Sequence, residues 1–384
     1  MRPPLSRPSP LTPRNPQGTD LQMSQKEVYA FNVPTFGRNV VFDVDHVERA
    51  EQFRFFAEAL RTARLQTYVG LMVSEADAFF KERLVGASGK VDLRNLLSDL
   101  IILTASRCLM GREVREHLFD RVSDLFHDLD MGMQPISVVF PYLPIAAHRK
   151  RDASRKELSS IFTKVIAARK ASGKSEPDVL QSFIDARYKS GASLTEDQIT
   201  GMLIAVLFAG QHTSSVTSTW TGLFLLTNPK WLAKCVAEQK EVMAAEKAAG
   251  RDANALSYDT LLGMDVLHAC VKEALRIHPP LCMLMRQSHE AFDVTDMEGR
   301  TYTVPKGDIV AVSPTVAHRM EHVWDRPLEF DPSRFDENSQ QGKLPFSYVA
   351  FGGGRHGCMG ETVRAQPHKT KLNKYSRVLF RAHL

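Results

Sequence analysis

Phe351-Gly-Gly-Gly-Arg-His-Gly-Cys358-Met-Gly360 places one cysteine behind four glycines, with His356 two positions and Arg355 three positions before it. Glycine lets a backbone turn sharply and approach another group closely. A sulfur ringed by free backbone N–H groups can remain a thiolate, and the thiolate is the metal-binding form. Arg355 and His356 are able to pair with carboxylates of something held against the loop. The competing reading is a glycine-rich turn around an inert core cysteine, the commoner fate of a lone Cys.

A flat, acidic, metal-bearing ligand fits the first reading, and haem answers to that description. The other four cysteines (Cys108, Cys235, Cys270, Cys282) are scattered, and no pair has C-x-x-C spacing. That argues against a zinc site or a disulfide framework and fits a reducing compartment. The chain is long enough, at 384 residues, to bury a large core. Its net charge of +5 is concentrated in the tail. Residues 362–384 carry six basic and no acidic side chains, so the remainder is close to neutral and offers no nucleic-acid-binding face. No run of 18 apolar residues and no signal peptide is present, so no transmembrane anchor is expected.

Residues 1–18 contain six prolines and three arginines and read as a disordered leader. From Asp20 to about residue 290 apolar spacing of three and four predicts helices over 49–70, 92–111, 116–129, 149–172 and 178–190. Residues 131–144 form a connector containing Pro and Phe. Thr195-Glu-Asp-Gln198 is a capping box opening a helix of about 32 residues, roughly 48 Å long, that Pro229 ends. Helices over 230–249 and 261–278 follow, the latter stopped by Pro279-Pro280. Residues 292–305 and 309–313 then read as strands. The expected fold is mainly α with a small β portion.

The centre of the long helix reads Phe208-Ala-Gly-Gln-His-Thr-Ser-Ser215, polar where a core helix should be apolar. A local widening of the helix would turn Thr213 toward a ligand, and Thr213 with His212 could then relay protons. A satisfied Ser/Thr patch between helices is the alternative. Glu273-Ala-Leu-Arg276 sets opposite charges on one helix face among apolar neighbours, and a buried pair needs a third partner. Phe330-Asp-Pro-Ser-Arg334-Phe335 offers an arginine in a rigid turn.

The order of these elements, ending in the Cys loop, resembles the haem-thiolate monooxygenases of the cytochrome P-450 superfamily. Within it, Phe208-Ala-Gly-Gln-His-Thr-Ser-Ser215 and Val28-Tyr-Ala-Phe-Asn-Val-Pro-Thr-Phe-Gly37 resemble the sterol 14α-demethylases, of the plant or algal obtusifoliol type. The resemblance implies haem b with Cys358 as the iron ligand. It assigns Arg286 and His356 to the propionates, with Phe351 and Gly354 also against the cofactor, and Thr213 and His212 to proton delivery. It makes Glu273, Arg276 and Arg334 a structural triad, and Tyr29, Phe31, Phe36, Phe208, Ala209, Leu281 and Met285 the sterol contacts. Phe42 stands where many relatives place a propionate-binding tyrosine.

The implied reaction is three successive oxygenations of the 14α-methyl, using O2 and electrons that NADPH supplies only indirectly, through a flavoprotein reductase. No G-x-G-x-x-G follows a strand in this chain. The implied location is the endoplasmic reticulum membrane. Against the family pattern the chain reads as truncated at both ends: a leader (1–18), an incomplete monooxygenase domain (19–361) and a basic tail (362–384) expected to be disordered. The usual N-terminal anchor and early strands, and the C-terminal helix and hairpin, have no counterpart, which is expected to leave sheet edges open. The alternative function is a non-catalytic, degenerate haem-binding relative.

Overall fold

The computed structural model describes residues 12–13, 22–83, 89–250, 256–296, 298–353 and 357–360. The chain divides into two compact units, Lys26–His212 and Met1–Gln25 with Thr213–Leu384.

The first unit is built from helices α1 (Val33–Phe36), α2 (His46–Ala59), α3 (Thr62–Arg83), α4 (Leu93–Ala105), α5 (Arg112–His117), α6 (Phe119–Met131), α7 (Ala146–Ser172), α8 (Val179–Asp185) and the first half of α9 (Glu196–Thr227). Three starts are fixed by aspartates accepting from free N–H groups. Asp45 accepts from Val47 and Glu48, Asp92 from Asn95, and Asp178 from Gln181. The expected capping box opens α9: Thr195 Oγ1 accepts from the Gln198 N–H at 3.2 Å, and Gln198 Oε1 accepts from the Thr195 N–H at 2.9 Å. Phe55, Phe56, Leu100, Ile101, Phe162 and Phe183 are buried in this unit's core.

Arg169 is one of several buried arginines in this unit. Arg169 donates to both Asp178 oxygens at 2.9 and 2.7 Å and to both Glu113 oxygens at 3.0 and 2.7 Å. A buried guanidinium is tolerable only with its donors matched in this way. Gly111, at φ +95°, lies against this group; a Cβ there would run into Arg169 and Asp178. No other residue fits that position.

The second unit holds the rest of α9, then α10 (Pro229–Ala248), α11 (Tyr258–Leu262), α12 (Asp265–Ile277) and α13 (Pro314–Ala317). Its strands are β1 (Thr12–Pro13), β2 (Met23–Ser24), β3 (Leu284–Ser288), β4 (Phe292–Thr295), β5 (Thr301–Val304) and β6 (Ile309–Val312). They form two antiparallel sheets of order β1-β4-β5 and β2-β3-β6. The register of β3 on β6 sets Met285 opposite Ala311 and Arg286 opposite Val310. Among the described residues β6 pairs on one side only, and its Ile309 and Val312 are exposed.

Several sequence expectations need correction. The helix expected over 49–70 is broken at Leu60-Arg61, where the Leu60 N–H turns back to Phe56 and Glu58 carbonyls. That over 116–129 begins in α5 and is broken at Leu118, φ −128° and ψ 2°. That over 178–190 stops at Asp185, and Gly191 at φ +86° turns the chain back. That over 261–278 is interrupted at Gly263, between α11 and α12. No widening occurs at Gly210, because α9 runs through as regular α-helix. The π-type widening lies instead at Ser106–Met110, the end of the helix expected over 92–111. β3 lies outside both expected strand segments. The helix α9 is also long and apolar enough to cross a membrane by length and composition. Its polar centre and its buried residues suit a core helix instead.

Candidate functional site

In the second unit the Cys358 loop is closed by its own backbone, the Cys358 N–H donating to the Phe351 carbonyl at 2.8 Å. Gly352 takes φ +71° to make the turn. Cys358 and Cys282 are exposed, whereas Cys108, Cys235 and Cys270 are buried; of the two exposed thiols, Cys358 is the one on the glycine loop. A Cβ on Gly360 would lie 3.4 Å from the Cys358 sulfur, in van der Waals contact with it. A single accessible thiol on a glycine loop is a donor set that fits thiolate ligation of a haem iron. Gly354 and His356 lie outside the described residues, as do the tail from 362 and all of 1–18 but 12–13.

The three residues of the charge cluster are brought together. Arg276 Nε and NH2 donate to the two Glu273 oxygens at 2.7 and 2.8 Å, and Arg334 Nε donates to Glu273 Oε1 at 3.1 Å. Glu273 and Arg276 are 0 % exposed and Arg334 2 %. Arg276 also donates to the carbonyls of His318, Pro327 and Glu329. Arg334 reaches those of Asp325 and Arg326. The third partner that burial demands is thus present, together with carbonyl acceptors for the remaining donors. The Arg276 guanidinium lies 5.2 Å from the ring centre of the fully buried Trp324.

His318 and Trp324 carry no motif that sequence reasoning singled out. His318 is 0 % exposed. Its Nε2 accepts from the Val349 N–H at 2.8 Å, and its Nδ1 lies 3.1 Å from the Arg276 carbonyl. The ring is therefore neutral and protonated on Nδ1. Burial holds it down to a pKa of about 4, with the nearby Arg276 and Arg319 charges acting in the same direction.

Elsewhere in this unit, Met285 and Arg286 sit on β3, half-buried, and Arg286 donates to the Met285 carbonyl at 2.6 Å. Leu281 is exposed. Thr213 is half-buried, and its carbonyl accepts from Thr217 Oγ1 at 2.6 Å. Thr219 and Thr221 bond back to α9 carbonyls in the same manner, which keeps hydroxyls satisfied inside an apolar helix.

In the first unit the aromatic residues form one chain of ring contacts. Phe208 stands edge-on to Phe36 at 5.8 Å, Phe36 meets Phe42 at 5.6 Å, Phe42 meets Tyr29 at 5.7 Å, and Tyr29 meets Phe31 at 6.3 Å. Phe126 adds a contact to Phe208 at 5.9 Å. Ala209 is exposed beside them on α9. His212 packs on Phe208 at 5.6 Å and reaches Asp130 on α6. The His212 hydrogen bond, more than burial opposes it, holds the Asp130 carboxyl below the usual carboxylate range. Asp130 was missed by sequence reasoning because its own helix shows only an ordinary polar position there.

The cytochrome P450 family profile matches residues 18–364. Obtusifoliol 14-alpha demethylase of Sorghum bicolor is 57% identical over 90% of this chain and 69% of its own length. The protein of the same name from Triticum aestivum is 58% identical over 90% of this chain and 75% of its own length. Sterol 14-demethylase of Arabidopsis thaliana is 56% identical over 90% and 70% respectively. Among solved structures, retinoic acid bound cyanobacterial CYP120A1 superposes with a TM-score of 0.76 over 92% of this chain and 73% of that chain. At 21% identity that likeness bears on the fold alone.

Proposed function

The chain belongs to the cytochrome P450 family, a haem-iron family, and from that premise we propose that it is a sterol 14α-demethylase acting on obtusifoliol-like sterols. The observation that carries the reading is the identity of 56–58% to three plant demethylases over 90% of the chain. Nothing in these comparisons favours the non-catalytic alternative.

Cys358 would hold the iron, with Phe351 and the glycines letting the loop approach. The chemistry supplied by the bound haem iron is activation of O2, which thiolate ligation favours. Arg286, with His356 of the Cys loop, would meet the acidic edge of the cofactor, and Gly354 would lie against it. Glu273, Arg276 and Arg334 hold the polypeptide that leads into the Cys loop, since their carbonyl partners run from His318 to Glu329.

An apolar ring system of sterol size calls for a wall of aromatic side chains with few polar groups. Tyr29, Phe31, Phe36 and Phe208 form such a wall in the first unit, extended by Phe42 and Phe126. Ala209, Leu281 and Met285 are the remaining sterol contacts in this reading. Each oxygen insertion consumes protons, and a polar relay must deliver them. Asp130 and His212 are 41% and 45% exposed, so in this reading the pair would meet water at the outer end of a relay whose inner member is Thr213.

Electrons would come from NADPH through a separate flavoprotein reductase. The proposed site of action is the endoplasmic reticulum membrane. Support for a lipid-facing surface comes from Val138, Val139, Phe140 and Tyr142, which are all exposed in one short connector. The deciding experiment is reconstitution of the chain with haem, a plant flavoprotein reductase and NADPH. Formate and the 14-demethylated sterol are the expected products from obtusifoliol. A preparation with a thiolate-type ferrous–CO band that releases no formate overturns the assignment.

A further inference from the structure

His318 belongs to no motif of its own, yet it is wired on both sides into the polypeptide around Cys358. On one side its Nδ1–H donates to the carbonyl of Arg276, the residue whose side chain is locked to Glu273. On the other its Nε2 accepts the backbone N–H of Val349. Tyr348, the residue before, stacks on the imidazole with ring centres 5.0 Å apart and planes 15° from parallel. The Tyr348 hydroxyl then donates to the Lys272 carbonyl on α12 at 3.2 Å. Two residues beyond Val349, the Phe351 carbonyl receives the Cys358 N–H. From α12 to the sulfur-bearing residue, every link is a hydrogen bond or two peptide units.

We propose that His318 is a positioning residue for Cys358, fixing the strand of polypeptide from Tyr348 to Phe351 against α12 so that the sulfur is presented at one height and angle. The proposal rests on the reading of Cys358 as the iron ligand. An imidazole suits the task because it is rigid and offers one donor and one acceptor on opposite edges. Both roles need the neutral ring, since a protonated one would turn an N–H toward the Val349 N–H. The charges facing it come from Arg276 on α12 and from Arg319, the next residue, and both oppose protonation. Glu273, the nearby carboxylate, is committed to Arg276 and Arg334. The Tyr348 phenol is turned away to Lys272.

The test uses the full chain, as His318→Leu and His318→Gln, with two readouts. Amide hydrogen exchange at Val349 reports the link itself and needs no cofactor. The ferrous–CO difference spectrum of hemin-loaded protein reports whether sulfur is the ligand. In His318→Leu the Val349 amide should exchange at least tenfold faster. Part of the CO band should move from the thiolate type to the non-thiolate type, with global helicity retained. His318→Gln, which keeps a donor and an acceptor, should fall between. It decides the matter if the Leu variant does not fold. Faster Val349 exchange with a wholly thiolate-type band overturns the proposal, as does unchanged exchange in both variants. A wild-type protein that itself lacks the thiolate-type band would instead remove the Cys358 assignment, and the two failures are thereby told apart.

Discussion

His212 Nε2 donates a hydrogen bond to Asp130 Oδ1 at 3.1 Å, tying the centre of α9 to α6. Helix α9 brings no acid of its own immediately before Thr213; the carboxylate is supplied from another helix. A group so placed is half-exposed, which makes it a poor structural tie and a good proton contact with water.

Replacing Asp130 by Asn keeps an acceptor for His212 and removes the charge. Turnover should fall about tenfold or more, because proton delivery through a positioned group is worth that much or greater. The melting temperature should barely move, since an exposed pair contributes under about 1 kcal/mol. Formate release and thermal unfolding, measured side by side, separate the two; a loss of stability matching the loss of turnover would make the bond structural.

Glu273→Gln is the opposite case. It leaves two guanidinium groups, Arg276 and Arg334, buried without their shared carboxylate. The expected destabilisation is about 3–5 kcal/mol. Urea unfolding of the variant should show it as a lower midpoint, with weakened haem retention following. A wild-type midpoint would mean that the carbonyl partners alone suffice.

His318 ties stability to pH. Its folded-state pKa, about 4, lies below the ordinary imidazole value of 6.5, so the unfolded chain takes up the proton first as pH falls. The contribution is fully present above about pH 6.5, declines as pH falls, and is gone below about pH 4, a span worth on the order of 3 kcal/mol. Unfolding midpoints compared between about pH 7 and about pH 4.5 should drop more for wild type than for His318→Gln. Equal drops would place the pH sensitivity elsewhere.

Phe31 closes one end of the aromatic chain, beside Tyr29. A bulky ring there would crowd a second methyl at carbon 4 of the sterol. Phe31→Leu should therefore raise turnover of dimethyl relative to monomethyl sterols about tenfold or more, in line with the roughly 1–3 kcal/mol that a methylene-sized space can discriminate. Competitive assays with both sterols provide the measure, and an unchanged ratio would detach Phe31 from specificity.

Burial of the Glu273–Arg276 pair was legible because the two sit one helical turn apart among apolar neighbours; that Arg334 joins them came from the family resemblance, not from the local pattern. The long helix was legible for a similar reason, having a capping box at Thr195 and Pro229 beyond its end. Helix breaks at Leu60 and Leu118 were not, since each is a leucine that continues the apolar spacing while its backbone leaves it. Strand β3, Leu-Met-Arg-Gln-Ser, lacks both alternation and β-branched residues, and only its pairing to β2 and β6 makes it a strand. Asp130 and His318 were hidden because their meaning lies in partners from other elements. Tertiary geometry, not local pattern, assigns them.

One flank of β6 has further import for anyone handling the protein. Among the described residues that flank offers main-chain donors and acceptors with no strand beside them, next to greasy side chains, an arrangement open to an extended peptide, another molecule of the same kind included. Association through this edge would broaden the size distribution as concentration rises, and additives that compete for backbone hydrogen bonds should narrow it.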